Sequence, residues 1–348
     1  MGRHEDTAEP RLPPRPVRMR DVADAASVSV ATVSRVLNGD PNVDDAFRER
    51  VRAAVAQLGY RPNRLARNLR RQQMDAIGIV VPDIENPHFA ELVRIIEVSA
   101  LELGHRVLVC NTDEDPDRQA ACLRMLADER VSGIVLSPSD PAGNIDQLRD
   151  LGIPVVAIDR ELKDPATDAV VVDNVTAVRA ATQRLIDVGH RSIAFVGGLS
   201  EVETGSEREE GYLAAIEGAG LRPLPTNGGF RRDAARAAVT ALLAGPEPVT
   251  ALVVANNLMA LGALKAIRDQ GLRVPDDIAL IAVDNPPWAE VLDPPLTVLA
   301  QPIRAIAALT IELLTRRMRG EQFQPVREVF PLELIVRSSC GTAQAGPS

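Results

Sequence analysis

Apolar positions along the chain follow a helical period near the start and a strand-and-helix alternation afterwards. In residues 19 to 26, MRDVADAA, one face carries Met19, Val22, Ala23 and Ala26; after Ser27-Val28 a second stripe runs through Val30, Val33, Val36 and Leu37. The spacing predicts two short helices separated by a tight turn, with Ser29 as N-cap of the second and Asn38-Gly39 ending it. A third helix is expected over Asp45 to Leu58, capped by Asp44 and closing a small core with Phe47, Val51, Val55 and Leu58. Gly59-Tyr60-Arg61-Pro62 stops it, since proline cannot continue a helix. Helix-turn-helix spacing offers the N-terminal residues and outer face of the second helix to a DNA major groove, here Val30, Ala31, Thr32, Ser34 and Arg35. Any small helical hairpin has the same spacing, so the pattern alone leaves both readings open.

From Ala76 the period changes. Short apolar runs at 77–81, 106–110, 133–137, 154–158, 170–172, 192–197, 251–255 and 278–283 read as strands. Between and after them lie amphipathic stretches at 88–103, 117–128, 174–188, 206–219, 232–244, 257–270 and 303–317. Such alternation predicts parallel sheets with helices on both faces and a ligand beyond the carboxyl ends of the strands. Two similar halves around one cleft is the economical arrangement.

Charge sharpens this division. The chain of 348 residues has a net charge of −9, but residues 1 to 72 hold 14 arginines against 9 carboxylates, which leaves −14 for the rest. A basic head suits phosphate contact, which needs local rather than total positive charge, although a solvated charged face has the same composition. The first sixteen residues are polar and proline-rich, read as a disordered leader without a secretory signal, and no run is apolar enough to cross a bilayer. A cytosolic protein without membrane contact is the expectation. Three cysteines, Cys110, Cys122 and Cys340, lack CxxC spacing, which argues against structural disulfides and against zinc. No HExxH, GxSxG, GxGxxG or Walker sequence occurs and the four histidines are scattered, so neither catalysis nor a cofactor is expected.

Two segments, VRMRDVADAASVSVATVSRVLNGDPNV and LGYRPNRLARNL, resemble the DNA-binding head and hinge of the LacI/GalR family of bacterial regulators. Similarity continues through GIVVPDIENPHFAELV, RVSGIVLSP, IPVVAIDRE, LIDVGHRSIAFVGG, ALVVANNLMALGALKAIRDQGLRVPDDIALIAVDN and PPLTVLAQP. It implies an all-α helix-turn-helix head plus an α/β body like that of periplasmic binding proteins, with two lobes, parallel sheets and three crossings. The implied layout is a leader (1–16), the head (17–62), a hinge and linker (63–73), the body (74–340) and a tail (341–348). Lobe 1 spans about 74–171 and 303–330, and lobe 2 about 172–302 and 331–340. In this family the hinge becomes a helix on the operator: the residue matching Leu69 wedges into the minor groove, with that matching Ala66 close by. Asn63, Arg64 and Arg67 fall in the same contact segment. Read without the resemblance, it is an arginine-rich linker. Two residues depart from the family pattern: Arg18 where a capping Thr is usual, and Ser27 where the turn usually has Gly.

By position, the family's effector contacts fall on Asn86, Phe89, Asp159, Arg160, Arg208, Asn256, Asp284 and Gln301. Each has a plain structural alternative; Asn86-Pro87, for instance, makes a good N-cap and N1 pair. Taken together, acceptors, guanidinium donors, amides and an aromatic face suit a neutral hydroxyl-rich ligand, a free sugar or polyol, with a nucleoside or nucleobase next. His88 stands where many sugar-binding relatives have another aromatic, and Asn257 where Asp is common. The partners implied are a palindromic double-stranded operator, a small effector and a second copy of the chain as homodimer. A solute-binding protein would share the body but not the basic head. The tail lacks leucine heptads, and so the tetramer-forming coil of some relatives.

Overall fold

The computed structural model describes residues 17–37, 40, 42–60, 74–143 and 145–341. It divides into two compact units at Gln72–Gln73.

The first unit contains α1 (Met19–Ala26), α2 (Val30–Leu37) and α3 (Asp45–Leu58). Val22, Ala23 and Ala26 of α1, Val33 of α2 and Val51 and Ala54 of α3 share one core, which Tyr60 closes. The turn between α1 and α2 needs a left-handed residue, and Ser27 supplies it with φ 51° and ψ 49°. A side chain in that region costs about 1 kcal/mol relative to glycine. Arg18 has no side-chain oxygen to cap α1; instead its backbone N–H donates to the Asp21 carboxylate at 2.6 Å. Ser29 does cap α2, its Oγ accepting from the Thr32 N–H at 3.0 Å, and Asp44 caps α3 by accepting from the Ala46 N–H at 2.9 Å. One expectation is corrected: Phe47 is 42 % exposed rather than in the core. Its ring instead lies under the Arg50 guanidinium, 5.0 Å away. The period of α3 places Phe47 one turn before Val51, but the buried face of α3 runs through Val51 and Ala54 and leaves Phe47 outside it. The stop predicted at Asn38-Gly39, like the hinge contacts Asn63, Arg64, Ala66, Arg67 and Leu69, lies outside the described residues.

The second unit carries two six-stranded sheets. In the first lobe β1 (Met74–Val81), β2 (Arg106–Asn111), β3 (Val131–Leu136), β4 (Val155–Ile158), β5 (Asp168–Val172) and β11 (Arg327–Phe330) run parallel in the order β11-β5-β4-β3-β1-β2. Helices α4 (Pro87–Glu102), α5 (Pro116–Asp128), α6 (Asp146–Asp150) and α12 (Ile303–Met318) belong to this lobe. The second lobe has β6 (Ile193–Gly197), β7 (Leu224–Asn227), β8 (Ala251–Val254), β9 (Ala279–Val283), β10 (Thr297–Ala300) and β12 (Glu333–Ile335), ordered β12-β10-β9-β8-β6-β7. Only β12 is antiparallel to its neighbour. Its helices are α7 (Asn174–Val188), α8 (Glu203–Gly218), α9 (Arg232–Leu243), α10 (Asn257–Asp269) and the short α11 (Trp288–Val291).

The chain crosses between lobes after β5, between β10 and α12, and between β11 and β12. The first and third crossings are tied where the Asp173 N–H donates to the Phe330 carbonyl at 2.9 Å. Nearby, Asp168 is 1 % exposed and takes two hydrogen bonds from Arg317, at 2.8 and 3.0 Å, plus one from the Val326 N–H at 2.8 Å. That carboxylate joins β5, α12 and the returning chain before β11.

Strands β7, β10, β11 and β12 and the short helices α6 and α11 have no counterpart among the predicted elements. All are five residues or shorter, and β7, β11 and β12 are edge strands in which polar, charged or proline residues hide the apolar run. Replacing Ser27 with Gly should stabilise the head by about 1 kcal/mol, read as a higher urea midpoint for its unfolding in the intact chain; an unchanged midpoint would mean that the turn carries no strain.

Candidate functional site

The side chains between the two lobes are brought together by strand ends. Asp159 and Arg160 follow β4, Asp284 follows β9, Gln301 follows β10, and Asn256 follows β8 as the N-cap of α10, its Oδ1 accepting from the Met259 N–H at 2.7 Å. Asn86 and Phe89 also begin a helix beyond a strand, α4 after β1, with Asn86 Oδ1 accepting from the His88 N–H at 2.9 Å. Arg208 projects from α8. All eight residues line one small cavity of about 30 Å³.

Among the described residues seven other than glycine have positive φ, and Glu114 (62°), Asp159 (65°), Phe230 (58°) and Asp284 (75°) are four that line this cavity. Left-handed backbone there costs energy and persists where surrounding contacts over-determine it, as at ligand sites. At Asp284 the constraint is a backbone bond to Leu299 at 2.9 Å and side-chain bonds from Asn257 (2.8 Å) and Gln301 (2.8 Å).

Charge is buried at the site only because it is matched. Arg160 is 4 % exposed; Glu114 grips it with both oxygens, at 2.6 and 2.7 Å, and Asp159 lies 3.3 Å away. Burial opposes the guanidinium charge, but the Glu114 hydrogen bonds, with Asp159 and Glu203, outweigh it and hold the arginine above its ordinary value. Removing one partner of such a buried pair costs about 3–5 kcal/mol, because the other charge stays desolvated. Arg208, equally buried, donates to Asn174 Oδ1 at 2.8 Å and to the Ala255 carbonyl at 2.7 Å.

Several of these bonds span the lobes. Asn257 Nδ2 donates to Asn86 Oδ1 at 2.7 Å as well as to Asp284, Arg231 reaches Asp83 at 3.1 Å, and Arg160 Nε reaches Thr204 at 3.4 Å. The Glu161 N–H donates to Glu203 at 2.7 Å. The seam also gathers acid: desolvation, then repulsion from Asp113 and Glu85, raises Asp83 against the pull of Arg231 and a backbone bond. Glu207 is raised first by burial and then by Glu203 and Glu161, against the Asn174 hydrogen bond.

Sequence reasoning did not name Asp83, Glu114, Thr204, Phe230 and Arg231, which share the cavity lining. Asp83 and Glu114 follow β1 and β2, so the rule that ligands sit at strand ends pointed to them; Phe230 and Arg231 follow β7, whose LPTN sequence has no apolar run to read as a strand. His88, noted as a departure, lines the cavity, and Asn257 links its two walls.

On the other candidate surface Val30, Ala31 and Arg35 of α2 are exposed, while Thr32 and Ser34 are half-buried. Thr32 Oγ1 lies 2.8 Å from Ser29 Oγ.

A helix-turn-helix unit and a two-lobed α/β body with a polar cleft between its lobes are the parts of a DNA-binding regulator. Comparison with known proteins agrees. Residues 18–63 match the family described as bacterial regulatory proteins, lacI family, and residues 182–340 match the periplasmic binding protein-like domain. Catabolite control protein A of Priestia megaterium is 36 % identical over 93 % of this chain and 99 % of its own length. A ribose operon repressor of Halalkalibacterium halodurans is 34 % identical over 92 % of this chain and 96 % of its own. Among solved structures, the lac repressor dimer bound to operator and an anti-inducer superposes with TM-score 0.83 at 27 % identity, covering 94 % of this chain and all of that one. A transcriptional regulator CelR–cellobiose complex gives 0.69 at 34 % identity, covering 93 % and 100 %. The chain belongs to the lacI family of bacterial regulatory proteins, and is a DNA-binding transcriptional regulator.

A pH test follows from Glu207. A carboxyl raised on folding binds its proton more tightly in the folded state, so its contribution is full below the ordinary glutamate value of 4.5 and is lost as pH rises through the raised one. Glu207→Gln, which keeps an acceptor for Asn174, should raise the thermal midpoint at pH 7 by about 1–3 °C, a gain that shrinks toward pH 4.5. A gain independent of pH would contradict this.

Proposed function

We propose that the protein is a cytoplasmic, non-catalytic repressor that binds a palindromic operator as a homodimer and changes its operator affinity when a free sugar or polyol enters the cleft between the lobes. Val30, Ala31, Thr32, Ser34 and Arg35 read and grip the major groove: Arg35 forks onto a guanine edge, the hydroxyls donate to phosphates, and Val30 and Ala31 touch thymine methyls. Asn63, Arg64, Ala66, Arg67 and Leu69 form the hinge contact, with Leu69 as the minor-groove wedge. Asn86, Phe89, Asp159, Arg160, Arg208, Asn256, Asp284 and Gln301 hold the effector.

The observation that carries the ligand reading is the charge of the cleft. Asp83, Glu114, Asp159 and Asp284 face Arg160, Arg208 and Arg231, and each guanidinium group already holds a protein acceptor. A phosphorylated ligand would meet an excess of carboxylate, whereas hydroxyl groups both donate to carboxylates and accept from amides and guanidinium groups. That ribose and cellobiose appear in the names of similar proteins supports the same class. Homodimer formation is supported by apolar surface on the first lobe: Val98 and Leu101 on α4, Val109 on the edge strand β2 and Met125 on α5 are 53, 70, 46 and 46 % exposed. Among the described residues no helix is long and apolar enough to cross a membrane.

Coupling runs through lobe setting. Asn257, Arg231 and Thr204 bridge the lobes in the present arrangement; a ligand that takes over their partners selects a different relative position, and a ligand shifts an equilibrium only by its differential affinity for the two states.

The test is fluorescence anisotropy with palindromic DNA from upstream of the protein's own gene, with and without free pentoses, hexoses and polyols. Leu69→Ala should weaken operator binding at least about tenfold and leave sugar affinity unchanged. Asp284→Ala should weaken sugar affinity by about 2 kcal/mol, roughly thirtyfold, while operator binding persists. Operator affinity that responds to a nucleoside and to no sugar or polyol would replace the ligand class.

A further inference from the structure

Of the four carboxylates that line the cleft cavity, three have a guanidinium partner. Glu114 grips Arg160 with both oxygens, Asp159 lies 3.3 Å from the same arginine, and Asp83 lies 3.1 Å from Arg231. Asp284 is matched by hydrogen bonds but not by charge. It is 5 % exposed, and among the described residues no arginine or lysine pairs with it. Asn257 Nδ2 donates to its Oδ2 at 2.8 Å and Gln301 Nε2 to its Oδ1 at 2.8 Å, while His88 Nδ1 stops 3.9 Å from Oδ1, beyond hydrogen-bond reach. Histidine supplies positive charge only when protonated.

Buried charges are ordinarily paired, because desolvation disfavours an isolated one. Two amide hydrogen bonds use about half of the roughly four acceptor sites of a carboxylate, and they leave its charge uncompensated. The rest of the cleft does not make up the difference. Arg208, the remaining guanidinium of the lining, spends its hydrogen bonds on Asn174 and the Ala255 carbonyl. Glu203, at the start of α8, is raised first by burial and then by repulsion from Glu161 and Asp159, against a backbone bond and the pull of Arg327. Asp284 is also within reach of a ligand. It lines the cavity of about 30 Å³ between the lobes and a larger adjoining space of about 430 Å³. The smaller volume is the share of one water molecule, so a sugar ring meets Asp284 when the lobes part.

We propose that the effector carries a positive charge: it is a hydroxylated ligand with one ammonium group, an amino sugar or amino polyol, whose nitrogen binds the Asp284 carboxylate. This rests on the sugar reading of the cleft and narrows it. An ammonium group has three donors and no acceptor, so it fits the free acceptor sites of Asp284 and supplies the missing charge. Such a charge-assisted bond is shorter than that of a neutral hydroxyl and about twice as strong. A hydroxyl group in the same place satisfies the oxygen and leaves the charge as it was.

The experiment is isothermal titration of the full-length protein at neutral pH with pairs that differ in one group: glucose and glucosamine, galactose and galactosamine, mannose and mannosamine, sorbitol and glucamine. N-acetylglucosamine supplies the uncharged amide, and adenosine and cytidine complete the series. At least one amine should bind about tenfold or more tightly than its hydroxyl counterpart. Asp284→Asn keeps the size and one acceptor oxygen but removes the charge, and should cut that ratio to about threefold or less, whatever it does to either affinity alone. An unchanged thermal midpoint checks that the variant folds; should it not fold, the ligand pairs on the unaltered protein decide alone. A hydroxyl sugar or polyol that binds as tightly as every amine, or an amine advantage that survives Asp284→Asn, overturns this inference and leaves the sugar-responsive function standing. No response to any sugar, polyol or amine overturns both, whether or not a nucleoside binds.

Discussion

Buried charge between the lobes is the constraint on which the body depends. Arg160, Arg208 and Asp284 are each at least 95 % removed from solvent, and none of them is tolerable there without matched partners. The partners come from strand ends and helix starts on both sides of the cleft: Glu114 from the first lobe, Asn174 and the Ala255 carbonyl from the second, and Asn257 tying Asp284 to Asn86 across it. Lobe position is therefore coupled to the satisfaction of charge, in a low-dielectric seam where each interaction is stronger than in water.

Three crossings suit that coupling. The lobes are joined by chain segments beside the Asp168–Arg317 pair and the Asp173–Phe330 bond, and the seam contacts lie outside both sheets. Each lobe keeps its own core, and the polar residues that bridge the lobes sit at strand ends and helix starts rather than inside it. The cost of this arrangement is backbone strain at Glu114, Asp159, Phe230 and Asp284, concentrated where the polar side chains of the cleft converge.

Much of the architecture is legible in residue order, because periodicity reports burial directly. The stripe through Val22, Ala23, Ala26 and Val33 describes the head's core, and Ser27 marks the left-handed turn despite its Cβ. What periodicity missed is short or mixed: LPTN, REVF and ELI carry too little apolar length to signal a strand, and Phe47 shows that a helical stripe does not say which of its turns the core covers. At the site, the eight residues named through the family resemblance line one cavity. Glu114 and Asp83 lie just past strand ends, and three-dimensional proximity to Arg160 and Arg231 reveals what they neutralise.

The central claim, that ligand occupancy of a charged seam sets the lobes and the lobes set DNA affinity, is tested most directly by a pair of spin labels, one on each lobe. Their separation should change on titration with a sugar that alters operator affinity, and the two curves should share one midpoint. Operator affinity that shifts while the separation stays fixed would contradict the account.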